Sequence, residues 1–428
     1  FDVVRYAQKA CSNLAVLDLI RRRGALVDAV SAGEVRRALA AGFQPAGDPP
    51  PIVYTADVFD AESLDLCVEL GVHVNCGSPD MIDQYGRRAP GRGITLRVNP
   101  GFGHGETRKT NTGGEESKHG VWHEQIADCL RLAERRRLTI DGLHMHIGSG
   151  SDMEHLAKVC GAMERAATQV GGSLRYISTG GGLPTVYRPT DAPVDTAEYF
   201  ALWDAARKRI ERRIGRPLLL EIEPGRYLTA ESGYLIAEIR AVKRQGGNTF
   251  YLLDAGFNNL ARPILYGAYH PISLAPNGAA AERGELDVVV GGPLCESGDI
   301  FTQSEGGFIA PRRLPEAQEK HEEHRLSVGC VCSGEYCPGP LIEPSTAILA
   351  GHPLAQEEQV LLFLRENATA GWTNSMRRVK LPHEPAAATS FIQEDCVKLL
   401  HHVLESEPCV SCNPFGLFHF SIMEFLQK

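Results

Sequence analysis

Short apolar runs recur along the first half of the chain, each closed by polar or glycine residues and most followed by an amphipathic stretch. The runs cover 3–7, 26–30, 52–56, 72–75, 94–98, 143–147, 174–178 and 218–222, and helical periodicity marks 61–70, 122–135, 153–170 and 196–214 between them. Strands that are short, continuously apolar and separated by helices pair in parallel with both faces covered. Eight such units before residue 232 predict a closed (β/α)8 barrel rather than an open doubly wound sheet.

After Pro224 the pattern changes. Segments 233–243, 249–254 and 287–291 alternate like strands, with Gly246-Gly247 and Pro276-Asn277-Gly278 as turns and no long helix between them. A smaller antiparallel β domain is predicted there. From residue 317 the texture shifts again: 316–325 is densely charged, and Cys330, Cys332 and Cys337 follow among Gly and Pro. Short helical stretches near 355–366 and 391–405 are the remaining periodic signals. The expected organisation is a barrel over 1–232, a β domain over 233–316 and a tail over 317–428 with no derivable fold. Phe1 opens directly on a strand, so the natural start is expected to lie upstream.

Composition narrows the function. The 428 residues carry a net charge of −9 with no basic block, which argues against a nucleic-acid partner and against a polybasic membrane patch. No apolar stretch approaches the roughly 18–20 residues of a membrane span. Of twelve cysteines, Cys11, Cys67, Cys76, Cys129, Cys160 and Cys295 are scattered through helix- and strand-like segments. That spacing predicts reduced thiols and a cytoplasmic location rather than a disulfide framework.

Barrels of this kind carry their chemistry at the C-terminal ends of the strands. Strand 1 ends in Tyr6-Ala7-Gln8-Lys9-Ala10, and strand 5 carries Arg97. Strand 6 reads His144-Met145-His146-Ile147-Gly148-Ser149-Gly150. Strand 7 ends in Ser178-Thr179-Gly180-Gly181-Gly182, and strand 8 in Glu221-Ile222-Glu223-Pro224-Gly225-Arg226. Three glycines beside Gly225-Arg226 let backbone N–H groups approach an anion, so a phosphate site is predicted; a tight strand–helix turn is the plain alternative. Lys9 could be a solvated charge, but beside a phosphate site and a buried carboxylate it becomes a Schiff-base amine. Glu223 continues an apolar run and needs a partner, which a pyridinium nitrogen would supply. His144 and His146 share one strand face; His144 is expected one layer deeper, and His146 at the rim, placed to stack on an aromatic ring. A metal pair would need further ligands at the other strand ends, and none cluster there, so no metal is expected. Phosphate site, Schiff-base lysine and acid together describe pyridoxal 5'-phosphate.

These motifs, with Arg262-Pro263, Tyr266-Gly267 and Gly292-Pro293-Leu294-Cys295-Glu296-Ser297-Gly298-Asp299, resemble the fold-type III pyridoxal-phosphate decarboxylases, and within them the diaminopimelate decarboxylases. The resemblance runs from residue 1 to about 315. It implies that Lys9 forms the Schiff base and His146 stacks on the ring. Arg97, Ser149, Gly181, Gly182, Pro224, Gly225 and Arg226 would line the cofactor and its phosphate, and Glu223 would pair with the ring nitrogen. Arg226, Arg262 and Tyr266 would face the substrate, meso-diaminopimelate, which would be converted to L-lysine and CO2. Cys295 as proton donor and Glu296 as ligand for the distal ammonium would reach the site of a second subunit in a head-to-tail homodimer. Racemases of this fold place an Arg where Glu223 stands, so Glu223 favours decarboxylation, which needs the ring as an electron sink.

The departures define the expectations for the tail. The family's Asp-Thr/Ser-Gly-Ala-Tyr stretch is absent, and Tyr336 in Ser333-Gly334-Glu335-Tyr336-Cys337 is a poor substitute. Cys409-Val410-Ser411-Cys412 lacks a second cysteine pair at zinc spacing. The tail is therefore expected not to be the family's usual C-terminus but the product of a shifted reading frame or a wrong gene model, to pack poorly, and to leave a weak or inactive decarboxylase. Two other readings stand beside the leading one: a fold-type III decarboxylase of another amino acid, and an impaired homologue that only binds cofactor or a partner subunit.

Overall fold

The computed structural model describes residues 1–103, 105, 111–148, 153–275, 284–317, 324–329, 359–368, 371–380 and 417–420. The chain divides into two compact units, one formed by 1–186 and 190–229, the other by 187–189 and the described residues from 230 onward.

The first unit contains β1 (Val3–Ala7), β2 (Leu26–Ala29), β3 (Ile52–Ala56), β4 (His73–Cys76), β5 (Gly93–Asn99), β6 (Val121–Trp122), β7 (Thr139–His144), β8 (Tyr176–Ser178) and β9 (Leu219–Ile222). Eight of these close a parallel barrel in the order β1-β2-β3-β4-β5-β7-β8-β9, completed by the pairing of β1 with β9, and β6 adds a short edge on β5. Helices cover it, the longest being Met153–Val170 and Thr196–Ile214. Their starts are written in the sequence: the Ser31 hydroxyl accepts from Glu34 N while the Glu34 carboxylate accepts from Val30 N, a reciprocal cap. Between the barrel strands and the helices Val27, Ile52, Val74, Ile94, Leu96, Leu143, Ile177 and Leu220 are fully buried, in one core with helix residues such as Leu17, Val35 and Trp203. The alternate strand residues point into the barrel and are largely polar: there Arg5 donates to Glu221 at 3.0 Å, and a second Arg5 nitrogen donates to the Pro50 carbonyl at 2.7 Å.

The strand expected over 143–147 instead runs Thr139–His144: Met145 N makes the last bond to β8, at Ser178 O, and beyond it the backbone leaves the ladder. His146 to Gly148 are thereby released from the sheet and form the rim.

The second unit holds β10 (Gly233–Gln245), β11 (Asn248–Leu253), β12 (Ile272–Ala275), β13 (Glu285–Gly291), β14 (Arg312–Pro315) and β15 (His324–Gly329) in one sheet of order β12-β15-β10-β11-β13-β14. It is antiparallel except where β11 and β13 run parallel, Thr249 opposite Val288. Its core is Leu235, Ala237, Tyr251, Leu253, Leu260, Val288, Val290, Phe301 and Leu314. The region beyond 317, for which the sequence suggested no strands, supplies β15 along one edge of β10. β16 (Gln359–Ala368) and β17 (Gly371–Lys380) form a hairpin, and β18 (Leu417–Phe420) pairs with the start of β10 on its other edge. The signal missed for β15 is the alternation Arg325-Leu326-Ser327-Val328, hidden at the end of a charged block. The expected helical stretch near 355–366 overlaps β16, whereas 391–405, Tyr336 and the tail cysteines lie outside the described residues. Among the described residues no helix is long and apolar enough to cross a membrane.

Candidate active site

Lys9 sits in the single 3-10 turn Gln8–Ala10 that ends β1, half-buried at the barrel rim. It is held there from below and from the side: the buried Tyr6 hydroxyl donates to Cys11 O, and Ala7 N takes the Pro224 carbonyl at 3.1 Å. The charge of Lys9 acts on Asp28, Glu34 and His146, in each case favouring loss of the proton. Burial, with the charge of Glu223, pushes the Asp28 carboxyl well above the usual carboxylate range.

Glu223 is buried just beyond β9 and doubly bonded. His144 Nε2 lies 2.8 Å from one carboxylate oxygen, and the Ser178 hydroxyl donates to the other at 2.7 Å. Burial alone would raise this acid; His144, Ser178 and the Arg5 charge more than reverse it and hold Glu223 at about 2, so it is ionised at neutral pH. His144 thus sits deep, as expected, and its partner is Glu223. His146 is half-buried at the rim. Its enclosure, and then the charges of Arg97, Lys9 and His144, hold it well below the ordinary histidine range, so the ring is neutral. Its Nδ1 is buried with no hydrogen-bond partner among the described residues.

The glycine run after β8 has no room for side chains. A Cβ at Gly181 would lie 2.5 Å from Glu223 O, and one at Gly182 would lie 2.3 Å from Gly148 O, where Gly182 also has φ +102°. Gly225 approaches Ala7 O at 3.1 Å in the same sense, and Arg226 opens the short helix Arg226–Thr229 beside it. The cradle is therefore open because the chain is closely packed behind it. Gly182→Ala should weaken cofactor binding by tenfold or more while leaving a folded barrel. A titration of the variant's absorbance against pyridoxal phosphate, read beside its far-UV circular dichroism, checks this.

Arg97, buried on β5, completes the rim. Burial lowers its pKa from the ordinary arginine value, against the opposing charges of Asp57, Glu223 and Asp28. Lys9, Arg97, His146, Gly181, Gly182, Glu223, Pro224, Gly225 and Arg226 all lie on the first unit at strand ends, whereas Ser149 falls outside the described residues. Orphaned His146 Nδ1, a glycine run whose close backbone packing leaves no room for a Cβ, an ionised buried acid and a rim lysine fit the chemistry of pyridoxal phosphate. Sequence reading passed over Asp28 and Asp57. The same strand-end rule, applied to β2 and β3, would have found both.

In the second unit Arg262 is buried at the start of the helix Arg262–Tyr266. Its Nη1 lies 3.2 Å from His270 Nε2, and its guanidinium stacks 5.0 Å above the Tyr187 ring. Tyr266 ends that helix at Gly267, where a Cβ would lie 2.2 Å from Glu305 N. Cys295 and Glu296 are exposed on the loop after β13. The buried Asp299 shapes that loop, accepting from Phe257 N at 2.6 Å and Leu294 N at 2.9 Å.

Comparison with known proteins agrees with this geometry. Residues 2–230 match the family profile described as pyridoxal-dependent decarboxylase, pyridoxal binding domain. The chain is 55% identical over 316 residues to a diaminopimelate decarboxylase of Streptomyces coelicolor, covering 74% of this chain and 72% of that one. It is 54% identical over 320 residues to the Escherichia coli protein of the same name, covering 74% and 76%. A crystal structure of diaminopimelate decarboxylase superimposes with a TM-score of 0.75 at 43% identity, covering 94% of this chain and 90% of that one. One from Helicobacter pylori, complexed with L-lysine, gives 0.65 at 28% identity, covering 78% and 80%.

Proposed function

From the premise that the chain belongs to the pyridoxal-dependent decarboxylases, we propose that it removes one carboxylate of meso-diaminopimelate as CO2 and yields L-lysine. One observation carries the reading: a single barrel rim holds a lysine, a glycine cradle and an acid kept ionised by buried partners. Pyridoxal phosphate, when bound, supplies an electron sink for the carbanion that decarboxylation leaves.

The chain's own residues do the rest. Lys9 would supply the amine that holds the cofactor. Glu223 would set its charge beside the ring nitrogen and favour a proton there, while His144 and Ser178 fix the carboxylate's plane. Neutral His146 offers a ring face without adding positive charge. Gly181, Gly182, Gly225 and Arg226 receive the phosphate with backbone N–H groups and one guanidinium. Arg262 and Tyr266 would meet the distal carboxylate, and the Tyr187 ring beside the Arg262 guanidinium restricts its orientation.

Cys295 and Glu296 complete the site of a second copy in a homodimer, Cys295 returning a proton and Glu296 meeting the distal ammonium. Their exposure on the loop after β13 supports that placement. The buried free thiols Cys67, Cys76, Cys129 and Cys160 support a cytoplasmic setting.

The test is release of CO2 and formation of lysine from meso-diaminopimelate, with ornithine, arginine and lysine as competitors. Turnover of ornithine or arginine in preference would reject the substrate assignment. Binding without release of CO2 from any of them would favour the impaired homologue. Arg262→Ala should raise KM for diaminopimelate about tenfold or more with a smaller change in kcat, because a distal carboxylate is bound alike in ground and transition states.

A further inference from the structure

The segment 111–120, between β5 and β6, is fastened across the rim at three strand ends. Asn111 bridges Gly148, and Thr112 bonds the His146 and Ile147 carbonyls, its hydroxyl donating at 3.0 Å and its amide at 3.2 Å. Asn99, closing β5, accepts from Gly114 N at 2.9 Å and donates to Gly114 O at 3.0 Å. The far end is tied to Asp57, just past β3. His119 Nδ1 lies 2.6 Å from Asp57 Oδ2, and Gly120 N donates to Oδ1 at 2.9 Å.

Asp57 is itself tightly placed. The Ser78 hydroxyl donates to its carbonyl at 2.8 Å, and a Cβ on Gly77 would lie 2.1 Å from Oδ1. Burial would raise the acid, but His119, Arg97 and the Gly120 amide more than reverse this, so Asp57 is a carboxylate and His119 Nδ1 is the donor. Asp57 heads the negative charges acting on buried Arg97, and Gly120 passes close to the Arg97 chain, 3.3 Å from Cγ for an added Cβ.

We propose that Asp57 and His119 are positioning residues that hold Arg97 and the 111–120 strap in register with the cofactor end of the barrel. Gly120 N and His119 Nδ1 take one Asp57 oxygen each, which fixes the carboxylate and holds Gly120 where it packs against the Arg97 backbone and side-chain stem. Asp57 thereby acts on Arg97 as a fixed counter-charge. The same strap, through Thr112, sets the backbone of His146. The dyad touches neither cofactor nor substrate in this scheme and acts through Arg97 and His146. The inference rests on the assignment of those two residues to the cofactor.

The experiment is equilibrium dissociation of pyridoxal phosphate from the full-length holo-protein, followed by absorbance, for Asp57→Asn, His119→Ala, His119→Asn, the Asp57→Asn/His119→Ala pair and Arg97→Ala. Each of Asp57→Asn and His119→Ala should raise Kd about tenfold, the value of one charge-assisted hydrogen bond. The pair should be no worse than the worse single variant, since both cut one link. His119→Asn, whose side-chain amide reaches the same oxygen, should restore most of the affinity, and the melting temperature of the cofactor-free protein should stay near the parent's. If Arg97→Ala releases the cofactor while His119→Ala and Asp57→Asn bind within twofold of the parent, the dyad has no positioning role. Additive losses, no rescue by His119→Asn, or loss of affinity only in step with the melting temperature would also overturn it. Should Arg97→Ala bind as tightly as the parent, the assignment of Arg97 itself fails and takes the dyad's role with it.

Discussion

Replacing Lys9 by Ala should remove every trace of cofactor that borohydride can fix to the protein and should abolish decarboxylation. The reason is geometric. Among the described residues Lys9 is the only lysine at the C-terminal end of a barrel strand. Lys118 lies exposed on a loop, and Lys158 and Lys208 sit on outer helices paired with Glu154 and Asp204. Among the described residues no other lysine stands at a strand end beside Gly181 and Gly182. Mass spectrometry of the reduced protein checks this directly: a cofactor-modified peptide anywhere in the Lys9→Ala chain would displace Lys9 from its role. Noncovalent binding should survive, because the phosphate contacts are untouched, so the variant separates binding from chemistry.

The second large effect is expected of Glu223→Gln. An amide keeps the shape of the carboxyl and can still accept from Ser178, but it carries no charge for the ring nitrogen. Turnover should fall by roughly 10²–10³-fold, the scale of one lost electrostatic contact in a dry site, while the borohydride-fixed cofactor remains. A variant that decarboxylates at the parental rate would end the electron-sink account. The depressed pKa also has a pH signature. Glu223 titrates at about 2 in the folded chain and near 4.3 when unfolded. Its contribution to stability is thus fully present above the unfolded value and is lost as pH falls through the interval between the two.

The barrel was readable because its signals are local: a short apolar run, then the residue types that a strand end can present. Lys9, His146, Gly181 and Glu223 each sit inside such a unit. Pairings across the barrel left no such trace. Arg5 meets Glu221 across 216 positions and Asp57 meets His119 across 62, and nothing next to any of the four in sequence announces its partner. Local apolar character also misled at 143–147, where Ile147 continues the run but the backbone has already left the sheet for the rim. In the second unit the sequence reading fell short by β12, β14 and β15: the first two are only four residues long, and β15 begins within a charged block. Period-two alternation over a few residues is a weak signal beside so many glutamates.

The pairing of β10 on both edges sets an order of events during synthesis. Among the described residues the barrel strands precede those of the second sheet in the chain, and the last of them, β9, pairs with β1. β10 emerges next, and β11 can cover half of one edge at once. The other edge waits for β15, and the start of β10 waits for β18, both from far down the chain. Contacts so distant in sequence form slowly, since a long loop must close before they repay its entropy. A ribosome-bound or prematurely terminated chain would therefore present a finished barrel next to a long strand with bare N–H and C=O groups, the kind of edge on which chains pair with each other. Aggregation of truncated products, and not loss of the barrel, is the failure that this topology invites.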